Sequence, residues 1–336
     1  MPQLNKTFLG NNPARKAPDS KAVDRDRKGK RTGFIIASVV IILILLAVGL
    51  LYYQNNTAPF RRIIITVDDI SINMDYFLKR TRLAGKDSME MLQVLTNERL
   101  IKIGAPRYIA EVTPEDINQE LRRAASGESE TISESEFKEW YRQLLNETKL
   151  SDSEYREYVA TSLLAARLHE YLTKRVPTVA EQVHLYAILL ETNENAEKVR
   201  ARWEAGEDFA DLAQEVSLDE VSGEKGGDLG WFPRGVLVSG FDQVAFSLTI
   251  GDVSEPLTYV SDPTSTEIFY YLFMVAEKAD AREVSEEFLA VLGDKTFEDW
   301  LSEKWEEKKD EIGWHGLKNS FDSETYAWIN WQLSKE

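Results

Sequence analysis

Residues 34–53, FIIASVVIILILLAVGLLYY, are twenty positions without a charge. As a helix rising about 1.5 Å per residue they span roughly 30 Å, the thickness of a bilayer core. The run is longer than the roughly 7–15 residues of a signal-peptide core, and no small-x-small cleavage site follows it. An uncleaved membrane-spanning helix is predicted. Past it the pattern shortens: QNNTAPFR (54–61) is polar and reads as a linker, and RIIITVDDISI (62–72) reads as two short apolar strands around an Asp68-Asp69 turn. From 73 to 174 apolar residues recur at helical spacing, among them Leu92, Leu95, Leu100 and Ile103, then Tyr155, Tyr158, Val159, Leu163, Leu164 and Leu168. Asn73, Thr113 before Pro114, Ser133 with Glu136 and Ser151 with Glu154 each place a side-chain oxygen where the first free N–H groups of a helix need an acceptor. Val176-Pro177 closes the last of these helices, because a residue before proline avoids the helical region.

The pattern then changes character. VHLYAILL (183–190) is a strand, Asn195–Ala205 a helix closed by Gly206, and Phe209–Val216 a second short helix. FDQVAFSL (241–248) fits another helix, GDVSEPLTYV a turn and strand, and IFYYLFMV (268–275) a strand apolar on both faces. The order β-α-α-loop-α-β-β describes a small α/β domain of about a hundred residues. Its loop, GGDLGWFPRG (226–235), sets Gly226, Gly227, Gly230 and Gly235 among Asp228, Leu229, Trp231 and Phe232. Backbone freedom beside apolar surface suits either a binding loop or a turn whose aromatics fall back into the core. FEDWLSEKWEEKKDEI (297–312) reads as a helix, and the remainder to Glu336, with Trp314, Trp328 and Trp331, is unassigned. The fold class is α+β: one transmembrane helix, a helical module opened by a β-hairpin, a small α/β domain, and a C-terminal helix.

Charge sets the topology. The chain has 336 residues, enough for two or three domains. Its first 33 hold nine Lys or Arg against three Asp, with Pro, Gly and Asn between, and read as a disordered basic tail. Basic residues before the span predict a single-pass protein of the cell membrane, with a cytoplasmic N-terminus and the bulk of the chain outside. Setting that tail aside leaves 31 Lys and Arg against 54 Asp and Glu, a net of −23, which argues against nucleic acid as a partner. There is no Cys, hence no disulfide, no thiolate chemistry and no lipid-modified cysteine anchor. His169, His184 and His315 are too few for a metal site, and neither an H-E-x-x-H nor a phosphate-binding Gly-Lys motif occurs. All three read as structural or surface residues. Glu306, Glu307, Asp310 and Glu311, with lysine neighbours, read as a solvated helix face.

The strand at 183–190, GEDFADLA (206–213), Ser217-x-Asp219, GGDLGWFPRG, Phe241–Phe246 and Gly251-Asp252-Val253-Ser254-Glu255-Pro256 together resemble a parvulin-type peptidyl-prolyl isomerase domain over residues 183–279. The hairpin and the helices MLQVLTNERLIKIGA and SDSEYREYVATSLLAARL resemble the N-terminal chaperone module of the exported SurA and PrsA foldases, in which a C-terminal segment packs back on that module. With the basic tail at 1–33, the span at 34–53 and the linker at 54–61 read above, the resemblance implies a chaperone module at 62–176, an isomerase domain at 177–281 and a C-terminal helical segment at 282–336. It further implies catalysed cis/trans rotation of X-Pro bonds in unfolded exported polypeptides, without metal or cofactor. The proline pocket would be Leu229, Leu237 and Phe241, with Phe232 at its wall and the Gly226-Gly227 turn shaping its rim; plain core packing is the other reading of these apolar residues. Asp219 matches a position that holds Asp or Cys in the family. The family's two histidines fall on Ala187 and Tyr271, and Tyr271 offers a hydroxyl where Ala187 offers nothing polar. His184, three residues before Ala187, falls on the opposite face of its strand. Two further readings follow: a holdase whose parvulin domain binds peptides without turning them over, and a scaffold without clients.

Overall fold

A computed structural model describes residues 20–127, 131–260 and 266–335. It opens on α1 (Ser20–Asn56), a single helix of 37 residues. Its segment Ser38–Asn56 is long and apolar enough to cross a membrane and is covered by nothing else in the chain. Residues 1–19 of the basic tail lie outside the described residues, while residues 20–33, expected to be disordered, are helical. Once the apolar run has nucleated the helix, each further residue gains a hydrogen bond for fixing only its own dihedrals. The linker expectation is also corrected. α1 runs to Asn56, the Thr57 N–H still donates to the Tyr53 carbonyl at 2.9 Å, and α2 (Ala58–Arg61) follows at once. Pro59 stands in the first turn of α2, where a missing N–H leaves nothing unsatisfied.

β1 (Ile63–Val67) and β2 (Ile70–Asn73) form the hairpin, turning through Asp68 at φ 57°. Five helices follow: α3 (Met74–Ala84), α4 (Ser88–Gly104), α5 (Pro114–Ser126), α6 (Glu134–Thr148) and α7 (Asp152–Thr173). Their starts are those the sequence marks. Asn73 accepts from the Tyr76 N–H, and Thr113, Ser133 and Ser151 each form a reciprocal capping box, a feature worth about 1 kcal/mol per cap.

Asp116, the return arm of the first box, also meets Arg167 of α7 at 2.8 Å. The Thr113 N–H first, then the Thr113 hydroxyl and Arg167, hold its carboxyl down at about 2, against an ordinary 3.8. Because the folded value is the depressed one, the stability is present above the ordinary value and lost as pH falls through the folded value. Thermal melts read by helical circular dichroism should therefore fall more steeply between pH 3.8 and about 2 in the native chain than in Asp116→Asn. Equal slopes would mean that the carboxylate adds nothing.

The chain continues as β3 (Val179–Leu190), α8 (Asn193–Glu204), α9 (Phe209–Val216), α10 (Glu220–Gly223), β4 (Asp228–Pro233), α11 (Ser239–Ser247), β5 (Leu257–Tyr259) and β6 (Phe269–Glu283). It ends in α12 (Glu286–Lys308), β7 (Ile312–Trp314) and α13 (Ser323–Leu333). The strands make two antiparallel sheets, β2-β1-β7 and β4-β3-β6-β5. Residues 226–235, read as a loop, prove to be a turn followed by the edge strand β4: its pairing with β3 supplies the hydrogen bonds that its glycines and proline hide from a pattern search.

The unassigned tail is structured. β7 pairs with β1, and Ile329 of α13 is buried with Ile64, Ile65 and Val67 of β1, Phe77 of α3 and Leu92 and Leu95 of α4. Indole N–H groups lock it in place, Trp305 donating to Asn97 at 2.6 Å and Trp314 to Thr96 at 3.0 Å. α12 lies along α7 and α4, with Trp300 buried beside Ile101, Leu164 and Leu168.

Candidate active site

Side chains alternate along β3, and each face has its own cover. Ile188 and Leu190 pack with α8 and α9, through Ala196, Val199, Phe209 and Leu212. Val183, Leu185 and Ala187 face the other way, with Phe273 and Val275 of β6 and with Ala245 and Phe246 of α11. Over this second layer lie partly exposed residues: Leu229, Phe232, Leu237, Phe241, Leu257 and Tyr271.

Phe241, in the first turn of α11, is the centre of that group. Its ring stands edge-on to Phe273 at 5.2 Å and to Tyr271 at 5.8 Å, with Tyr259 at 6.4 Å. Tyr259 and Tyr271 meet at 5.3 Å. These rings form an aromatic cluster, and Tyr259 and Phe273 are the members that the sequence reading did not name. Leu257 and Tyr259 share a face of β5, and the pairing of β5 with Tyr271 and Phe269 of β6 brings Tyr259 into the group. The turn before α11 is fixed by the Gly235 N–H, which donates to Asp242 at 2.7 Å.

Asp219 caps α10, accepting from the Val221 N–H at 3.2 Å and the Ser222 hydroxyl at 2.7 Å. Its neighbours tie it to β3: the Leu218 N–H donates to the Leu189 carbonyl, and the Leu189 N–H to Ser217 Oγ. Tyr271 pairs with Leu189 across the same strand. Burial, then Tyr259 and the Asp219 carboxylate, raise the Tyr271 phenol above its ordinary value of 10.0, so at neutral pH it is a protonated donor. Ala187, where the family's other imidazole would stand, is buried, and its N–H donates to the Gly227 carbonyl at 2.8 Å.

Three expectations change in detail. Gly226 and Gly227 do not shape a rim: both are buried at positive φ, 71° and 85°. A Cβ on Gly226 would stand 2.6 Å from Ala210 Cβ, and one on Gly227 2.6 Å from the Ala187 carbonyl oxygen. They let the turn press against α9 and β3. Phe232 belongs to the same layer as the pocket residues, yet its ring meets Phe288 of α12 at 5.3 Å. His184 is structural but engages the glycine-rich motif. Its Nε2 lies 2.8 Å from Asp228 Oδ1, which also accepts the Gly230 N–H, and its ring stacks on Trp231 at 5.3 Å. Burial alone would raise the Asp228 carboxyl; His184, Gly230 and Tyr186 together bring it below its ordinary value. That cluster pins β4 to β3 from the far side of the sheet. His169 meets Asp294 and His315 meets Thr66, both away from the site.

Partly exposed apolar side chains and rings, with a carboxylate and a phenol beside them, share one face of the sheet, the combination that rotation about an X-Pro amide would call for: apolar contact for the prolyl ring and polar groups for the amide. The barrier to that rotation is about 18–20 kcal/mol, and no bond is broken. Residues 189–277 match the family model for the rotamase, PPIC-type PPIase domain. Over these residues the chain carries a PPIC-type, parvulin-like domain. Among curated proteins, the chain is similar to the foldase protein PrsA of Oceanobacillus iheyensis, 34% identical over 169 residues that cover 48% of this chain and 54% of the relative. It is likewise 34% identical to PrsA of Caldanaerobacter subterraneus subsp. tengcongensis over 152 residues, 41% of this chain and 48% of the relative. The chain spans about half the length of these curated relatives. Among solved structures, the peptidylprolyl isomerase PrsA of Bacillus anthracis is 20% identical with a TM-score of 0.41, covering 65% of this chain and 97% of that one.

Proposed function

We propose that the protein is a membrane-anchored extracytoplasmic foldase, which binds unfolded exported polypeptides and catalyses rotation about their X-Pro bonds. The observation that carries this reading is the half-exposed Phe241, clustered with Tyr259, Tyr271 and Phe273 on the face beside Asp219. A prolyl ring seated on Phe241, between Leu229 and Leu237, loses apolar surface to the cluster. As the amide twists it gives up its conjugation, and the nitrogen becomes a hydrogen-bond acceptor. The Tyr271 hydroxyl is the donor suited to it, and the Asp219 carboxylate shapes the field in which charge redistributes. Phe232 steadies the wall from β4. The alternation of β3 explains how the site does without histidine at Ala187: the methyl leaves room, and the polar work falls to Tyr271.

The remaining architecture fits the same role. α1 anchors the chain, with its basic end in the cytoplasm. Residues 62–176 serve with 282–336 as the client-holding module, and residues 177–281 form the isomerase domain. The clients are unfolded segments that contain proline.

The test is proline-limited refolding of a model client in the presence of the full chain held in detergent. The slow phase should accelerate in proportion to the amount added, and Tyr271→Phe should remove most of that acceleration, on the order of the 10²–10³-fold lost with one preorganised hydrogen-bond donor to a transition state. Clients kept soluble with an unchanged slow phase would instead mark a holdase.

A further inference from the structure

Phe60 stands seven residues beyond Tyr53, the last residue of the apolar run. With a helical rise it lies about 10 Å past the end of the hydrocarbon, and the headgroup layer is itself about 5–8 Å deep. Its ring meets Trp328 of α13 edge-on at 5.4 Å. The far end of the chain is thereby brought back to the point where the chain leaves α1.

α13 is held there rigidly. Thr325, Ile329 and Gln332 are buried. The Tyr326 hydroxyl donates to Asp87 at 3.0 Å and Arg82 to the Gln332 carbonyl at 2.6 Å. One turn on from Trp328, Trp331 is 53% exposed, and Lys335 Nζ stands 3.0 Å over its ring. Exposed Arg61 ends α2 and exposed Arg62 follows it, and neither they nor Lys335 form an ion pair among the described residues. Glu324, on the exposed side of α13, is paired with Lys318, so Arg61, Arg62 and Lys335, set against Glu336, leave this end less acidic than the chain beyond residue 33, which carries −23.

We propose that the outer face of α13, centred on Trp331 and flanked by Lys335, Arg61 and Arg62, lies on the outer surface of the bilayer and binds anionic lipid headgroups. The proposal rests on α1 being the membrane anchor. A bilayer is the occupant chosen because the chain itself delivers this face to the end of the span. An indole belongs at the apolar–polar boundary, and each cation near an anionic surface adds to the attraction. The body of the protein then has a fixed attitude on the membrane instead of swinging on a tether.

The absence of cysteine gives a clean test, since one introduced thiol is the only labelling site. The full chain is reconstituted in vesicles of phosphatidylglycerol and phosphatidylcholine, with an environment-sensitive dye at Ser334→Cys, on the face of Trp331, at Tyr52→Cys within the span, or at Val221→Cys, 73% exposed on the isomerase domain. A lipid spin label near the headgroups should cut Ser334→Cys emission about two-fold and leave Val221→Cys unchanged. Trp331→Glu in the Ser334→Cys background, or vesicles of phosphatidylcholine alone, should largely abolish that quenching. Quenching at Tyr52 without quenching at Ser334 would overturn the docking and leave the anchor standing. Quenching at neither position would overturn the anchor and the docking with it. A Ser334 label shielded from aqueous iodide but untouched by the lipid quencher would place a protein on this face and overturn the proposal.

Discussion

Gly227→Ala should cost the segment 179–283 about 3–5 kcal/mol, enough to unfold many domains of its size. The new methyl would stand 2.6 Å from the Ala187 carbonyl oxygen and 3.1 Å from Ala213 Cβ, with φ already at 85°. The nearest atom is backbone, so nothing rotates out of the way. The hydrogen bond from the Ala187 N–H to the Gly227 carbonyl must also yield. Gly230→Ala is the internal control. Its φ is 82° but no atom lies within 4 Å, so only the left-handed strain is felt, about 1 kcal/mol. Denaturant titrations read by tryptophan fluorescence measure both. Equal losses at the two positions would mean that the turn can back away from β3, and that its close approach carries no energy.

Phe241→Ala should separate binding from stability. Phe241 is half-exposed, so its truncation should cost about 1–2 kcal/mol, well short of the roughly 3–5 of a fully buried phenylalanine. If a prolyl ring seats on Phe241 as proposed, a proline-containing peptide should nevertheless bind about tenfold or more weakly, through lost apolar contact. Phe246→Ala on the same helix gives the opposite pattern: it is only 7% exposed and belongs to the core, so it should cost the full amount in stability. Thermal melts and peptide titrations of the two variants decide the matter. A Phe241→Ala chain that folds and binds as before would remove Phe241 from the site, and one that unfolds like Phe246→Ala would return it to the core.

What the sequence made readable was local. A cap is a bond between residues two or three apart, so Asn73, Thr113, Ser133 and Ser151 announced their helices without help from the rest of the chain. The hairpin was equally plain, because β1 and β2 are adjacent and apolar. Apart from the helical continuations at 20–33 and 54–61, the misses were non-local. β4 is glycine-rich and sits at a sheet edge, where its identity comes from pairing with β3, which lies some forty residues earlier. β7 is three residues long and means nothing without β1 at the opposite end of the chain. His184 was put on the correct side of its strand by alternation. Its partnership with Asp228 and Trp231 needed the register of β3 on β4, which a single bulge at Leu185/Tyr186 adjusts. For the candidate site, the resemblance put forward Phe241, Leu229 and Tyr271, and the fold brings them into one layer. Tyr259 escaped because a three-residue strand carries almost no pattern of its own.

The pairing of β1 with β7 also sets an order of assembly. The hydrophobic centre beneath β1 cannot be completed until residues 312–314 and Ile329 arrive, after nearly the whole chain has emerged. Closing so long a flexible loop is entropically unfavourable, and the penalty grows with its length. The segment between relieves it. Val179 pairs with Glu283, and the Val284 N–H reaches the Thr178 carbonyl at 2.8 Å, so β3 and β6 hold the two ends of the segment side by side. Once that sheet has formed, about a hundred residues act as a single short joint, and α12 emerges next to α7. A chain made from its N-terminus would thus have a middle that can mature first and a first-made half that waits, open and apolar, for its last-made strand.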